Sequence, residues 1–226
     1  NALEVTVRNI TTDPWTFLQS NEEAMNNRIC FLVKVDEKDF SRNCFVSISV
    51  GGGIKSLEDA RLLFNNGADK LIINSSLYKK PNLVKDLIKQ YGSQSIVASI
   101  DYKKINGNNV VLIDNGCEKI DMSIESYLKY VEDLNVGEIY LNSIDKDGTG
   151  FGYDFETIDH VANKLSKPLI IAGGAGNENH LIEGLQKDNV DAVATANLFN
   201  FVGNGLINAR EKILDKNINL ANWSAQ

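Results

Sequence analysis

The stretch Leu169-Ile170-Ile171-Ala172-Gly173-Gly174-Ala175-Gly176-Asn177 reads as a short buried strand that stops on glycines. An apolar run of this length, bounded by glycine, belongs in a sheet covered on both faces, and Asn177-Glu178 opens a helix at the same end. Free backbone amides at such a strand–helix junction hold anions, phosphate above all. The same device stands earlier as Phe45-Val46-Ser47-Ile48-Ser49-Val50-Gly51-Gly52-Gly53. Gly173 falls against Gly51 at an offset of 122 residues, and that offset carries Asp69 onto Asp191, Ile73 onto Thr195 and Ser75 onto Asn197. Strand, glycine turn, helix and next strand therefore recur as a unit. Two half-structures related by a pseudo-twofold axis follow, each with one anion site at the C-terminal end of its strands, and the expected ligand carries a phosphate at each end.

The chain has 226 residues, of which 43% are hydrophobic, enough for one sizeable core and too few to call for a second domain. Net charge is −7, and no run of Lys or Arg is long enough to track a nucleic-acid backbone or an anionic membrane, so neither is expected as a partner. Cys30, Cys44 and Cys117 form an odd, unspaced set, which fits small buried hydrophobes in a reducing cytoplasm better than a disulfide framework. No apolar run reaches the roughly 18 residues of a membrane span, and no signal peptide is visible, so a soluble cytoplasmic protein is expected. His160 and His180 fall in outer helices, and no cluster of His, Cys and acid has ligand spacing; no metal and no cofactor are expected.

Along the chain, residues 1–24 fit the rest poorly. Ala2 to Val7 could form a strand, but Thr11-Thr12-Asp13-Pro14-Trp15 breaks it, and Met25 looks like a natural start. Residues 1–24 are therefore expected to be either foreign to the domain or a displaced strand–helix piece, with 25–226 as a single barrel domain. Arg28 to Val35 reads as a first barrel strand and Phe45 to Val50 as a later one. The nine residues between them are too few for a helical crossover, which takes about 10 to 12, so one strand–helix unit is missing or displaced there.

After Gly53 the rhythm is regular. Ser56 with Asp59 starts a helix that runs to about Asn65 and ends at Gly67, and Lys70 to Asn74 is a strand. Pro81 opens a helix closed by Gly92, Gln94 to Asp101 is a strand, and a hairpin follows at Asn106-Gly107. Ser123 to Leu134 is a helix, Glu138 to Asn142 a strand, and Asp145-Lys146-Asp147-Gly148-Thr149-Gly150 a loop. A helix from Phe155 to Leu165, the Pro168–Ala172 strand, a helix from Glu178 to Gln186, a strand from Asp191 to Thr195 and a closing helix from Gly205 to Leu214 complete the pattern. Seven strands alternating with helices predict an α/β fold, a (β/α)8 TIM barrel with a half-barrel repeat. A doubly wound open sheet is the alternative, and nothing matches its G-x-G-x-x-G fingerprint.

SVGGGIKSLEDARLLFNNGADKLIINS, ASIDYKK, GEIYLNSIDKDGTGFGYD and LIIAGGAGN together resemble the cyclase subunit of imidazole glycerol phosphate synthase, of histidine biosynthesis, and its close paralogues. The resemblance runs from about Val46 to Ile213. It implies a (β/α)8 barrel that takes ammonia from a glutaminase subunit docked under its floor and uses it at the top. By similarity Asp101, at a strand end, is the general acid or base, and Asp147 a supporting acid or substrate ligand, where the plain alternatives are a cap and a turn residue. Asp145 is expected to serve the turn. The resemblance also implies phosphate and substrate contacts at Gly52, Gly53, Asn74 and Ser75 in one half, and at Gly148, Thr149, Gly173, Gly174, Ala196 and Asn197 in the other. Arg28, Lys70 and Glu138, at strand starts, match three of the four members of the family's charged ammonia gate.

One departure matters. The family has a second catalytic Asp after a Leu near the end of strand one, whereas here Leu32 is followed by Val33 and Lys34. Valine cannot shuttle a proton. The departure, with the stretch AVATANLFNFVG, is closer to the paralogous branch of surface-sugar pathways, which works with a glutaminase-like partner and an amidotransferase to convert an acetamido group to an acetamidino group. The alternatives are the true cyclase, a non-catalytic ammonia channel and scaffold, and the related sugar isomerase of histidine biosynthesis.

Overall fold

A computed structural model of the chain describes residues 2–5, 47–196 and 205–218. Seven strands run parallel in the order β1 (Ala2–Val5), β9 (Ala192–Thr195), β8 (Leu169–Ala172), β7 (Glu138–Ser143), β4 (Ile96–Ile105), β3 (Lys70–Ile73) and β2 (Ser49–Gly51). β4 overruns the sheet and pairs antiparallel with β5 (Asn108–Ile113), which pairs in turn with β6 (Glu118–Ser123). Helices α1 (Leu57–Asn65), α2 (Ser75–Lys79), α3 (Pro81–Tyr91), α4 (Ile124–Asp133), α5 (Phe155–Val161), α6 (Glu178–Leu185) and α7 (Gly205–Asp215) fill the connections. From β2 to β9 each next parallel strand is reached through at least one helix, and the first strand lies beside the last. This is the strand arrangement of a (β/α)8 barrel, as the alternation predicts.

The first strand comes from the segment set apart in the sequence reading, since Ala2–Val5 pairs with β9. The expected strand Arg28–Val35 and the short interval after it lie outside the described residues. An eight-stranded ring needs one more strand between β1 and β2.

Strand β8 shows why the sheet forms. All four of its residues are buried, but in two different places. Leu169 and Ile171 join the large cluster between sheet and helices, while Ile170 and Ala172 join Val97, Ala192 and Ala194 in the smaller cluster on the other face. A strand covered on both faces must be apolar throughout, and this one is. Each fully buried Ile or Leu contributes about 1.5–3 kcal/mol.

The repeat is physical as well as textual. Asp69 accepts a hydrogen bond from the Ile48 N–H (2.8 Å) and donates its own N–H to the Ile48 carbonyl. Asp191 makes the same two bonds with Leu169, one residue out of the 122-residue register. In both halves an aspartate before one strand ties down the start of its neighbour.

Helix ends follow the chemistry read from sequence. Ser56 caps α1 by accepting from the Asp59 N–H, Pro81 occupies the first turn of α3, and Gly92 closes it at φ 87°. Ser123 and Leu134 are the two caps of α4 rather than members of it. The hairpin at Asn106-Gly107 forms with both residues at positive φ, the type I′ signature. Three elements differ from expectation. β6 and α2 were not foreseen, and the helix from Phe155 gives way after Val161 to a 3₁₀ turn, Ala162–Lys164. Cys117, expected to be buried, is exposed in the turn between β5 and β6.

Candidate active site

The C-terminal ends of β2, β3, β4 and β7 surround a cavity of about 500 Å³. Its floor is set by strand register: Asp101 on β4 lies level with Asn142 on β7. Asp101 accepts hydrogen bonds from the Asn142 carboxamide at Oδ1 and from the Asn74 carboxamide at Oδ2, both 3.2 Å. One carboxamide on each side therefore grips one carboxylate oxygen, which fixes the plane of the carboxylate. Such a group can take up and return a proton at the mouth of a polar cavity.

Gly52 and Gly53 form one wall, following Gly51, where an added Cβ would come within 2.6 Å of the Ile72 carbonyl. Gly53 sits at φ 67° with open space where its side chain would be. Asp147 lines the opposite side from the loop after β7, where its N–H donates to the Ser143 carbonyl (3.0 Å). Asp145 accepts from the Lys104 N–H (2.7 Å) and so pins that loop to β4. Ser75 lines the cavity too, where its hydroxyl oxygen accepts the Asp114 N–H (3.0 Å) and its side chain also serves the Asp114 carboxylate.

The cavity thus collects Gly52, Gly53, Asn74, Ser75, Asp101 and Asp147. It does not take in the other half's residues. Gly173 and Gly174 are both at positive φ and packed from outside: a Cβ on Gly173 would meet the Ser143 carbonyl, and one on Gly174 the Gly152 carbonyl. The Gly152 N–H donates to the Gly174 carbonyl (2.8 Å), and the Gly176 N–H donates to His180 Nδ1 (3.0 Å). His180, read as a surface residue, helps to hold this backbone-on-backbone contact. Thr149 spends its hydroxyl on the Lys146 carbonyl (2.7 Å) within its own loop. Gly148 is open, Ala196 follows the end of β9, and Asn197 lies outside the described residues.

At the opposite end of the strands, Lys70 Nζ and Glu138 Oε1 pair at 2.5 Å, each part-buried, at the starts of β3 and β7. Arg28 lies outside the described residues.

Sequence reasoning missed two cations on the cavity wall, Lys55 and Lys103. The second was readable: it stands two residues past Asp101 on one strand, and so on the same face. Lys103 has Asp145 at 3.9 Å. Sequence also missed the cavity wall made by Asp114, Asn115 and Gly116, for which the Asp-Asn-Gly string was the available signal. Among the described residues no group of three His, Cys, Asp or Glu could hold a metal, and no helix is long and apolar enough to cross a membrane.

A parallel barrel sheet carrying an amide-held carboxylate beside a glycine turn, at the C-terminal strand ends, marks the face of a (β/α)8 enzyme subunit where active sites are built. Residues 34–203 match the histidine biosynthesis protein family, and the chain belongs to it. A protein of Parasynechococcus marenigrum (strain WH8102), provisionally named imidazole glycerol phosphate synthase subunit hisF2, is 45% identical over 186 residues, covering 82% of this chain and 69% of its own. The imidazole glycerol phosphate synthase subunit HisF of Chlorobaculum parvum is 38% identical over 178 residues, 79% of this chain and 71% of that one. HisF of Pyrobaculum aerophilum is 44% identical over 156 residues, 69% of this chain and 61% of that one.

Proposed function

We propose that this chain is the HisF-type synthase subunit of a glutamine amidotransferase, and that it serves surface-sugar acetamidino formation rather than histidine synthesis. The observation that carries the choice is Val33, an aliphatic side chain where the family resemblance puts the second proton-transferring aspartate. In this reading a glutaminase subunit docks at the barrel floor and supplies ammonia, and an amidotransferase is the further partner. Lys70 and Glu138, already paired, act with Arg28 as the gate that excludes water and ions while a small neutral molecule passes. Asp101 takes and returns the proton, its plane fixed by Asn74 and Asn142. One anionic end of the ligand meets Gly52, Gly53, Asn74 and Ser75. The other end is assigned to Gly148, Thr149, Gly173, Gly174, Ala196 and Asn197, with Asp147 as a ligand between the two.

The test is direct. The purified chain, given ammonium salt and the phosphoribulosyl-imidazole intermediate of histidine synthesis, should form no imidazole glycerol phosphate. Turnover at the rate of a histidine-pathway cyclase would overturn the assignment. That second reading, the true cyclase, is favoured by one observation: Asp101 and Asp147 line a common cavity, so a second carboxylate is near the first even without an aspartate at 33. If instead Asp101→Asn leaves glutamine-dependent transfer to the amidotransferase unchanged, the barrel is a channel and scaffold only.

A further inference from the structure

The β5–β6 hairpin ends in a turn that the reaction reading leaves without a role. Asp114, Asn115 and Gly116 stand at φ 50°, 60° and 79°, three consecutive left-handed residues, two of them carrying side chains. Such conformations are uphill for non-glycine residues and persist where neighbouring contacts impose them. Here the contacts come from α2, the helix that directly follows Asn74. The Asp114 N–H donates to Ser75 Oγ, and Lys79 Nζ binds both the Asp114 carboxylate and Glu118 Oε2 (2.6 Å). Lys79 holds the Asp114 carboxyl below its ordinary range, and Asp114 and Glu118 together raise the Lys79 ammonium above its own. On its other side the turn reaches the loop after β7, where the missing side chain of Gly116 faces Ile144 at van der Waals distance.

The turn therefore bridges from α2 across the end of β4 to the β7 loop, and all three of its left-handed residues line the cavity. With the Asp114 charge engaged by Lys79, the hydrogen-bonding side chain left to the turn is the Asn115 carboxamide, which offers both donor and acceptor. The cavity, at about 500 Å³, is sized for a small organic molecule rather than for a bare phosphate.

We propose that this turn is the specificity wall of the cavity: Asn115 hydrogen-bonds the hydroxylated end of a phosphate ester whose phosphate sits at Gly52, Gly53 and Asn74, and Lys79 sets the distance between the two. The proposal rests on reading that glycine corner as an anion site.

Isothermal titration of the full chain with inorganic phosphate and, separately, with ribose 5-phosphate tests it. The chain should bind ribose 5-phosphate more tightly than phosphate. Asn115→Gly keeps the left-handed backbone and removes only the carboxamide, so it should weaken ribose 5-phosphate by about tenfold and leave phosphate within about twofold. Lys79→Met should act in the same direction by releasing the turn, while Lys85→Met, an exposed change on α3, should do nothing. Unchanged ribose 5-phosphate affinity in Asn115→Gly and Lys79→Met, with phosphate still binding, overturns the wall and spares the anion corner. Absence of phosphate binding in the unaltered chain overturns the anion corner and the wall with it.

Discussion

The paired aspartates of the two halves allow the repeat to be tested as energetics. Asp191 accepts from the backbone of Leu169, a residue with no exposed surface at the start of β8. Truncation to Ala leaves that N–H without its acceptor at a part-buried site, where water replaces the carboxylate less readily, and an unsatisfied buried donor costs about 1–3 kcal/mol, here about 2 kcal/mol. Asp69 makes the equivalent bond to Ile48 at 2.8 Å, but there the site is exposed and water can replace the carboxylate. Its truncation should cost only about 0.5–1 kcal/mol. For a chain of this size 1 kcal/mol moves the melting midpoint by roughly 2–4 °C. Asp191→Ala should thus lower it by about 4–8 °C, and Asp69→Ala by about 1–4 °C. Asp191→Asn, which keeps an oxygen acceptor without its charge, should fall between. Thermal melts followed by far-UV circular dichroism give the order, and hydrogen exchange of the peptide containing Leu169 gives the site. Equal losses from the two aspartates, or undiminished protection of the Leu169 amide in Asp191→Ala, would refute the claim that burial of the donor separates the two ties.

Gly174→Ala should destabilise the fold by about 2 kcal/mol or more, because its Cβ would enter the Gly152 carbonyl at φ 110°, whereas Gly53→Ala should cost about 1 kcal/mol from backbone strain alone; urea midpoints compare them. Glu125, held down to about 2 by its own N–H, by Ser123 and then by His160, has a folded pKa below the unfolded carboxyl value. The stabilisation it gives is whole above about pH 4.5 and is lost as pH falls toward 2, and it is small because the group is more than a third exposed. An acid titration of stability should therefore be slightly shallower in Glu125→Gln, and a steeper one would contradict the sign. Asp101→Asn should lower turnover with ammonia by about 10²–10⁴-fold while ligand affinity changes little; retention of more than a tenth of the rate would remove Asp101 from proton transfer.

Much of this fold is legible because its determinants are local. Ser56, Pro81, Gly92, Ser123 and Asn106-Gly107 each act within a few residues, and each marks the boundary that the sequence chemistry assigns. The apolar strand at 169–172 is legible for another reason: burial on both faces leaves no polar position to confuse its period. β6 was missed because its sequence, Glu-Lys-Ile-Asp-Met-Ser, has the charge of an exposed outer strand and no apolar run, and its pairing with β5 is a long-range fact. Asp101 was legible as the last acid of a strand. Its two carboxamide partners lie at strand ends 27 residues before and 41 residues after it, so only the register of the sheet brings them together.

The two halves also show that one textual repeat can meet two different surroundings. Both glycine turns leave their strands at positive φ, and from sequence they are equivalent anion sites. What differs is the loop that faces each of them. In the second half Gly150, Phe151 and Gly152 fold back so that backbone meets backbone at Gly174 and Gly176, and glycine is needed there for close packing. In the first half no atom of the described residues lies within 4 Å of where a Gly53 side chain would start, and Asn74, Asp101 and the β5–β6 turn line the same cavity. Packing among the described residues does not require glycine at 53, although its φ of 67° favours one, and a turn kept bare for a ligand would show the same. The argument fails if Gly53→Ala, with its fold intact, binds inorganic phosphate as well as the unaltered chain does.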